Sequence, residues 1–112
     1  MINYNNKRFK PISSSENSET TSDTIFVYKQ KGNILTATYQ GDHIIEGHLI
    51  GVVDNQGNID MRYHQINSSG ELMTGICISK PKIDTNGKIK LYERWEWTSG
   101  DKSNGTSVLQ EI

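Results

Sequence analysis

The sequence predicts an all-β protein in which eight antiparallel strands close into an up-and-down barrel. Ten glycines punctuate the chain, six of them at expected turns, and the segments between them are rich in Ile, Val, Thr, Tyr and Trp. Helical spacing of apolar residues is hard to find anywhere. Closing such a meander on itself removes exposed strand edges. The predicted strands cover residues 5–11, 24–31, 34–40, 43–53, 58–66, 71–79, 88–97 and 105–112.

Length and composition limit both the architecture and the partners. A chain of 112 residues suits one domain, residues 1–112, with one hydrophobic core. The net charge of -1 gives no basic footprint for nucleic acid, and no stretch is apolar enough to predict membrane insertion. The polar residues 13–23 are expected to form a flexible loop. A single cysteine and an N-terminus without an apolar signal core favour a cytoplasmic location.

The turns allow the strand register, and hence the inward face, to be calculated. We take two-residue turns at Gly32, Gly41 and Gln56, and a four-residue turn beginning at Asn67. The resulting cross-strand pairs are Phe26 with Tyr39, Tyr39 with Ile44, His48 with Gln65, Tyr63 with Thr74, Leu72 with Trp95, and Glu93 with Gln110.

This register predicts a barrel with two unlike ends. One end is filled by an aliphatic plug of Val52, Ile59, Met61, Ile76, Ile78, Ile89, Leu91 and Ile112. The other end combines aromatic and polar side chains around a pocket whose rim is formed by the turns near Gly41, Gly70 and 98–104. The predicted ligand-binding residues are Tyr28, Tyr39, Glu46, His48, Tyr63, Gln65, Thr74, Glu93, Trp95, Trp97 and Gln110.

Inward carboxylates are the feature that most suggests function. A buried carboxylate costs several kcal/mol unless it is paired or hydrogen-bonded. Glu46 and Glu93 therefore require a mutual polar network with their neighbours, or a wet cavity that receives a ligand. These readings are compatible, and the second gives a small-molecule site with aromatic walls.

Two further functions remain open at this stage. A small enzyme would use Glu93 and His48 as an acid–base pair, although no catalytic motif is present. An assembly protein would form a dimer or tetramer through an outer face containing Gly47, Gly51 and Gly75. The spacing of the three histidines predicts no metal site and the chain indicates no cofactor. Cys77 is expected to point outward as an unreactive strand residue.

Three segments resemble a known family: 59–65, 70–75 and 91–101, of which the Trp-x-Trp-Thr-x-Gly-Asp run at 95–101 is the most specific. The chain is similar, from about Thr24 onward, to small bacterial proteins with an avidin-like, lipocalin-type barrel. Members of that family often bear the label N-acetylglutamate synthase. No Arg or Gln here is followed by Gly three residues later, as an acetyl-coenzyme A loop would require, so that activity is not expected. The resemblance supplies no catalytic or biotin-binding residues.

Overall fold

A computed structural model describes residues 2–112 as one closed barrel of eight antiparallel strands, each hydrogen-bonded to the next, with β8 returning to β1. The predicted fold class is confirmed. Within residues 2–112 there is no helix long and apolar enough to cross a membrane. The strands are β1 (Lys7–Ser14), β2 (Ile25–Lys31), β3 (Ile34–Gly41), β4 (Ile44–Val53), β5 (Ile59–Asn67), β6 (Leu72–Ile83), β7 (Ile89–Trp97) and β8 (Asn104–Glu111).

Three hairpin loops share one sequence pattern that sets their length. In each, an Asp or Asn three residues before a glycine exchanges a backbone hydrogen bond with the residue after that glycine, as in Asp54 N–H to the carbonyl of Asn58. Gly57, Gly70 and Gly87 adopt φ values of +83°, +79° and +80°, where a side chain would be strained. These are three-residue loops closed by a left-handed glycine. They fix the registers of β4–β5, β5–β6 and β6–β7.

The predicted register is confirmed for β2–β3 and wrong for the later hairpins. Phe26 pairs with Tyr39 as expected. Tyr39 pairs with Gly47 instead of Ile44, because the turn is at 42–43 and a β-bulge between Ile44 and Gly47 adds one residue to β4. His48 pairs with His64 because the loop preceding β5 has three residues. The remaining observed pairs are Tyr63 with Gly75, Trp95 with Cys77, and Glu93 with both Ser79 and Ser107.

Each register error is an odd number of residues, so its consequence is a reversed face. The errors cancel on every second strand: β2, β3, β5 and β7 present the predicted side chains inward, while β6, β8 and the part of β4 from Gly47 onward present the opposite set. Ile44, which precedes the β-bulge in β4, is buried. Val52, Ile78 and Ile112 are therefore exposed and Ile76 is only half-buried, which corrects their placement in the plug. Gly47, Gly51 and Gly75 are buried instead of facing outward.

The closed end of the barrel is aromatic as well as aliphatic. Ile59, Met61, Ile89 and Leu91 are buried as predicted. Beside them, Tyr4, Phe9 and Tyr28 form a cluster with ring centroids 4.8–6.3 Å apart. The Tyr4 hydroxyl donates to the Gly57 carbonyl at 2.5 Å, so the segment before β1 closes this end against the β4–β5 loop.

Candidate functional site: a covered cavity at the open end

A cavity of about 50 Å³ lies inside the other half of the barrel. Tyr39, Tyr63, Trp95 and Trp97 form much of its wall, and Glu93 lies among them. The Trp95 and Trp97 rings are 5.7 Å apart and meet edge to face, as do the rings of Tyr63 and Trp97. The full lining is Ser18, Glu19, Thr20, Phe26, Tyr39, Leu49, Met61, Tyr63, Gln65, Cys77, Glu93, Trp95, Trp97, Ser107 and Leu109.

Three of these aromatic rings have a glycine directly opposite them on the neighbouring strand, and the glycine leaves room for the ring. Tyr39 pairs with Gly47, Tyr63 with Gly75, and Trp95 with Gly105. A Cβ atom at any of the three glycines would collide with the ring of its partner, at 2.5 Å in the case of Trp95. Each ring therefore lies across the backbone of the neighbouring strand. The glycines of β4, β6 and β8 thus position the aromatic side chains of β3, β5 and β7.

Most polar groups in the wall are already committed to partners. The indole N–H of Trp95 donates to Ser107 Oγ at 2.9 Å, and that of Trp97 donates to the carbonyl of Asn17 at 3.2 Å. The Tyr39 hydroxyl donates to Gln65 Oε1 at 2.8 Å. These bonds fix the orientation of the rings, since buried polar groups are costly to leave unpaired.

Glu93 is only partly paired, because one of its two oxygens has a partner. Ser79 Oγ donates to Glu93 Oε2 at 2.5 Å, and among residues 2–112 no group forms a hydrogen bond with Oε1. Glu93 is 9% exposed and lines the cavity, so its remaining surface faces that internal space. Burial raises the pKa of Glu93 to about 7, although the Ser79 hydrogen bond acts in the opposite direction.

The thiol and the phenol groups near Glu93 stay uncharged through neutral pH. Burial, reinforced by the nearby carboxyl group, raises the pKa of Cys77 and of Tyr28, Tyr39 and Tyr63 well above their usual values. Cys77 is thus a buried, neutral thiol of the cavity wall, and the expectation that it points outward is wrong. The lining contains no Lys, Arg or His side chain.

A covering segment, residues 15–24, closes the cavity towards solvent. Its central residue Glu19 accepts hydrogen bonds from Gln65 Nε2 and Asn67 Nδ2, both at 2.8 Å. Thr21 Oγ1 donates to Asp42 on the β3–β4 turn, and Asn17 bonds to the start of β8. Polar hydrogen bonds rather than apolar contacts hold this segment across the mouth of the barrel.

The structure brings six of the eleven predicted site residues together around the cavity. All six belong to β3, β5 and β7, whose inward faces were assigned correctly. Tyr28 is also inside, but it lies in the aromatic cluster of the closed end, and its hydroxyl is buried without a hydrogen-bond partner. The six lining residues are Tyr39, Tyr63, Gln65, Glu93, Trp95 and Trp97.

The other four predicted residues lie outside the cavity, which corrects the expected site. Glu46 and His48 are exposed on the outer face of β4, where His48 Nε2 lies 2.7 Å from Glu46 Oε2. Thr74 bonds to Thr98 on the outer face, and Gln110 is half-buried on the outer face of β8. The reversed faces of β4, β6 and β8 account for all four. A Glu93–His48 acid–base pair is therefore excluded, because the two side chains lie on opposite sides of the sheet.

Several lining residues were not anticipated, and the sequence holds a signal for some. The Asp/Asn-x-x-Gly pattern of the loops gives the correct registers of β5 and β6, which would have moved Leu49 and Cys77 inward. Ser107 and Leu109 follow from the inward position of Gly105. Glu19 had no such signal, because nothing in a polar segment indicates which side chain turns back over the barrel.

The histidines do not form a metal site. His48 and His64 face each other with ring centroids 5.6 Å apart on the outer surface. Across residues 2–112, no three His, Cys, Asp or Glu side chains converge in a way that could hold a metal ion.

Comparisons with known proteins give one match. A family model described as "Avidin-like protein" matches residues 2–112, and so covers essentially the whole chain. Neither curated proteins nor solved structures give a match.

Proposed function

Because the chain belongs to the avidin-like protein family, we propose that it binds a small molecule in the cavity beneath the covering segment. One observation carries the proposal: a buried cavity with aromatic walls contains a carboxyl group with an unpartnered oxygen. A barrel that served only as a scaffold would gain stability from filling this space and pairing that oxygen. Apolar walls with a few directional polar groups are typical of ligand pockets.

The roles of the lining residues follow from their contacts. Trp95, Trp97, Tyr39 and Tyr63 are proposed to pack against the ligand through their rings, since the polar atoms of the first three have partners within the protein. Glu93 is proposed to form the directional bond to the ligand. The covering segment must move for entry, because Ser18, Glu19 and Thr20 form the outer wall of the cavity. A cytoplasmic location is part of the proposal and rests on the single, reduced cysteine.

Tryptophan fluorescence tests this proposal directly, because both tryptophans of the chain line the cavity. A library of small metabolites is titrated against the wild type and against Cys77→Leu, which fills the cavity from its wall. A matched control, Ile76→Leu, changes the neighbouring outward position of the same strand. Compounds that shift the emission of the wild type and the control, but not of Cys77→Leu, support the proposal. A library that shifts none of the three refutes it.

A second candidate, self-assembly, is favoured by the outer surface of β4, β5 and β6. Ile50, Val52, Ile66, Leu72 and Ile78 are 41–66% exposed on this face, which is unusual for large aliphatic side chains in a cluster. The charges among them are paired along the strands, as in Asp60–Arg62 at 2.7 Å.

Because the central charges of this face, Asp60 and Arg62, are paired with each other, a second copy of this chain is the proposed occupant. This replaces the expected glycine-rich interface, since the strand glycines face inward. Light scattering after size exclusion should show a dimer or tetramer that Leu72→Lys dissociates. A monomeric wild type at high concentration would rule this assembly out.

A further inference from the structure

The cavity offers an acceptor and no free cation. The N–H groups of Trp95, Trp97 and Gln65 are used within the protein, on Ser107, Asn17 and Glu19 respectively. One oxygen of Glu93 is an acceptor of the wall that no such donor reaches. Above pH 7, where Glu93 is ionised, a ligand that completes this site must therefore donate a hydrogen bond to its carboxylate.

The charges around the cavity further define that donor. Glu93 and Glu19 are the charged residue types of the lining, and both are acidic. Both carboxylate oxygens of Glu19 are held by amide donors, whereas Glu93 has only a neutral hydroxyl. An isolated buried carboxylate is costly, and a cation beside it removes that cost. A neutral hydroxyl donor would leave the charge uncompensated.

The aromatic walls suit the same ligand class. The rings of Tyr39, Tyr63, Trp95 and Trp97 line the same cavity as Glu93, inside the barrel. Cations bind to aromatic faces, most strongly to tryptophan and more strongly when they are desolvated. The carboxyl group and the rings thus act on the same charge.

Building on the function proposed above, we propose that the cavity selects a small organic cation of the alkylammonium class. Its N–H group pairs with Glu93 Oε1, and its alkyl part contacts the tryptophan rings. A volume of about 50 Å³ admits only a few non-hydrogen atoms while the covering segment is closed. The probes are therefore methylammonium and ethylammonium chloride. The ceiling on binding energy per atom places their dissociation constants at ~1 mM or weaker.

The test compares each ammonium ion with its neutral counterpart of the same size, methanol or ethanol, at constant ionic strength and pH 8. Tryptophan emission is followed in the wild type, in Glu93→Gln, and in Glu96→Gln. Glu96 is the matched control because it lies on the outer, exposed face of the same strand. Circular dichroism verifies that the three proteins are folded.

Ethylammonium is expected to bind the wild type and Glu96→Gln at least about tenfold more tightly than ethanol does, and Glu93→Gln should lose this preference. Equal binding of ammonium and alcohol, or a preference that survives in Glu93→Gln, overturns the choice of ligand class but leaves a binding cavity. If neither probe binds and the metabolite library also gives no shift, the binding function itself fails. These two failures are therefore distinguishable.

Discussion

Replacing Glu93 by glutamine should abolish most of the pH dependence of stability between pH 4.5 and pH 8. Burial raises the pKa of Glu93 from 4.5 to about 7 in the folded chain. Between these values the folded protein holds a proton that the unfolded chain has released. The free energy of unfolding therefore falls as the pH rises through this range, and the loss is complete above pH 7.

The size of the effect follows from the pKa difference. Each tenfold change in an ionisation constant corresponds to about 1.4 kcal/mol, so a rise from 4.5 to about 7 amounts to about 3 kcal/mol. Glu93 is 9% exposed, so solvent screening reduces this little. Domains of this size are typically stable by about 5–15 kcal/mol, and a change of this size is readily measured.

Glu93→Gln keeps the acceptor for Ser79 and removes the titration. If the N–H atoms of the new amide are unpaired, the variant is less stable than the wild type by about 1–3 kcal/mol at every pH. The informative quantity is therefore the change in the free energy of unfolding with pH. Urea unfolding curves at constant ionic strength, followed by tryptophan fluorescence, give that quantity. Tyr28, Tyr39, Tyr63 and Cys77 surround Glu93 but remain protonated throughout the range.

Between pH 4.5 and pH 8, the free energy of unfolding of the wild type should fall by about 3 kcal/mol relative to that of Glu93→Gln. The Glu96→Gln variant should behave as the wild type does. Parallel pH profiles for the wild type and Glu93→Gln would refute the reasoning. They would mean that Glu93 is solvated or paired in solution and that the cavity is not the closed space described above.

Three other substitutions test separate parts of the site. Glu19→Ala removes the acceptor of Gln65 and Asn67, so alkylation of Cys77 by iodoacetamide should become several-fold faster; an unchanged rate contradicts the covering role. Gly75→Ala, read by urea unfolding, should cost about 1–3 kcal/mol because its methyl group collides with Tyr63, and Tyr63→Leu in the same chain should recover part of that loss. Tyr28→Phe removes an unpartnered buried hydroxyl and should leave stability unchanged or raise it by about 1 kcal/mol, whereas a loss above 1 kcal/mol would show that the hydroxyl has a partner.

The barrel itself was predictable because composition and turn spacing act over short stretches of chain. Glycine turns and β-branched segments occur at regular intervals, and the expected strand bounds agree with the structure within a few residues. The exception is β6, which was expected to end at residue 79 but continues through Pro81 to Ile83. Residues at the end of a sheet tolerate the missing N–H of proline, so the strand is not interrupted.

The site was less predictable because apolarity does not distinguish the two faces of β4 and β6. In β4, Ile50 and Val52 alternate with Leu49 and Val53, so either face could serve as the core. The hydrophobic pattern therefore does not reveal a one-residue error in the length of a loop. Loop chemistry, rather than hydrophobicity, decides the register here.

The inward glycines explain why a barrel with this cavity also has an apolar outer face. If β4 shifted by one residue, Gly47 would leave its place beneath Tyr39, and the branched side chain of Ile50 would enter the barrel. The ring of Tyr39 would then lose the space that it occupies in the wall. Aromatic walls around an unfilled cavity thus require small residues on the inward faces of β4 and β6. Because side chains alternate along a strand, the bulky aliphatic neighbours of these small residues point outward. The exposed aliphatic surface is consequently a structural corollary of the cavity, and substitutions confined to that surface should alter assembly while leaving ligand binding intact.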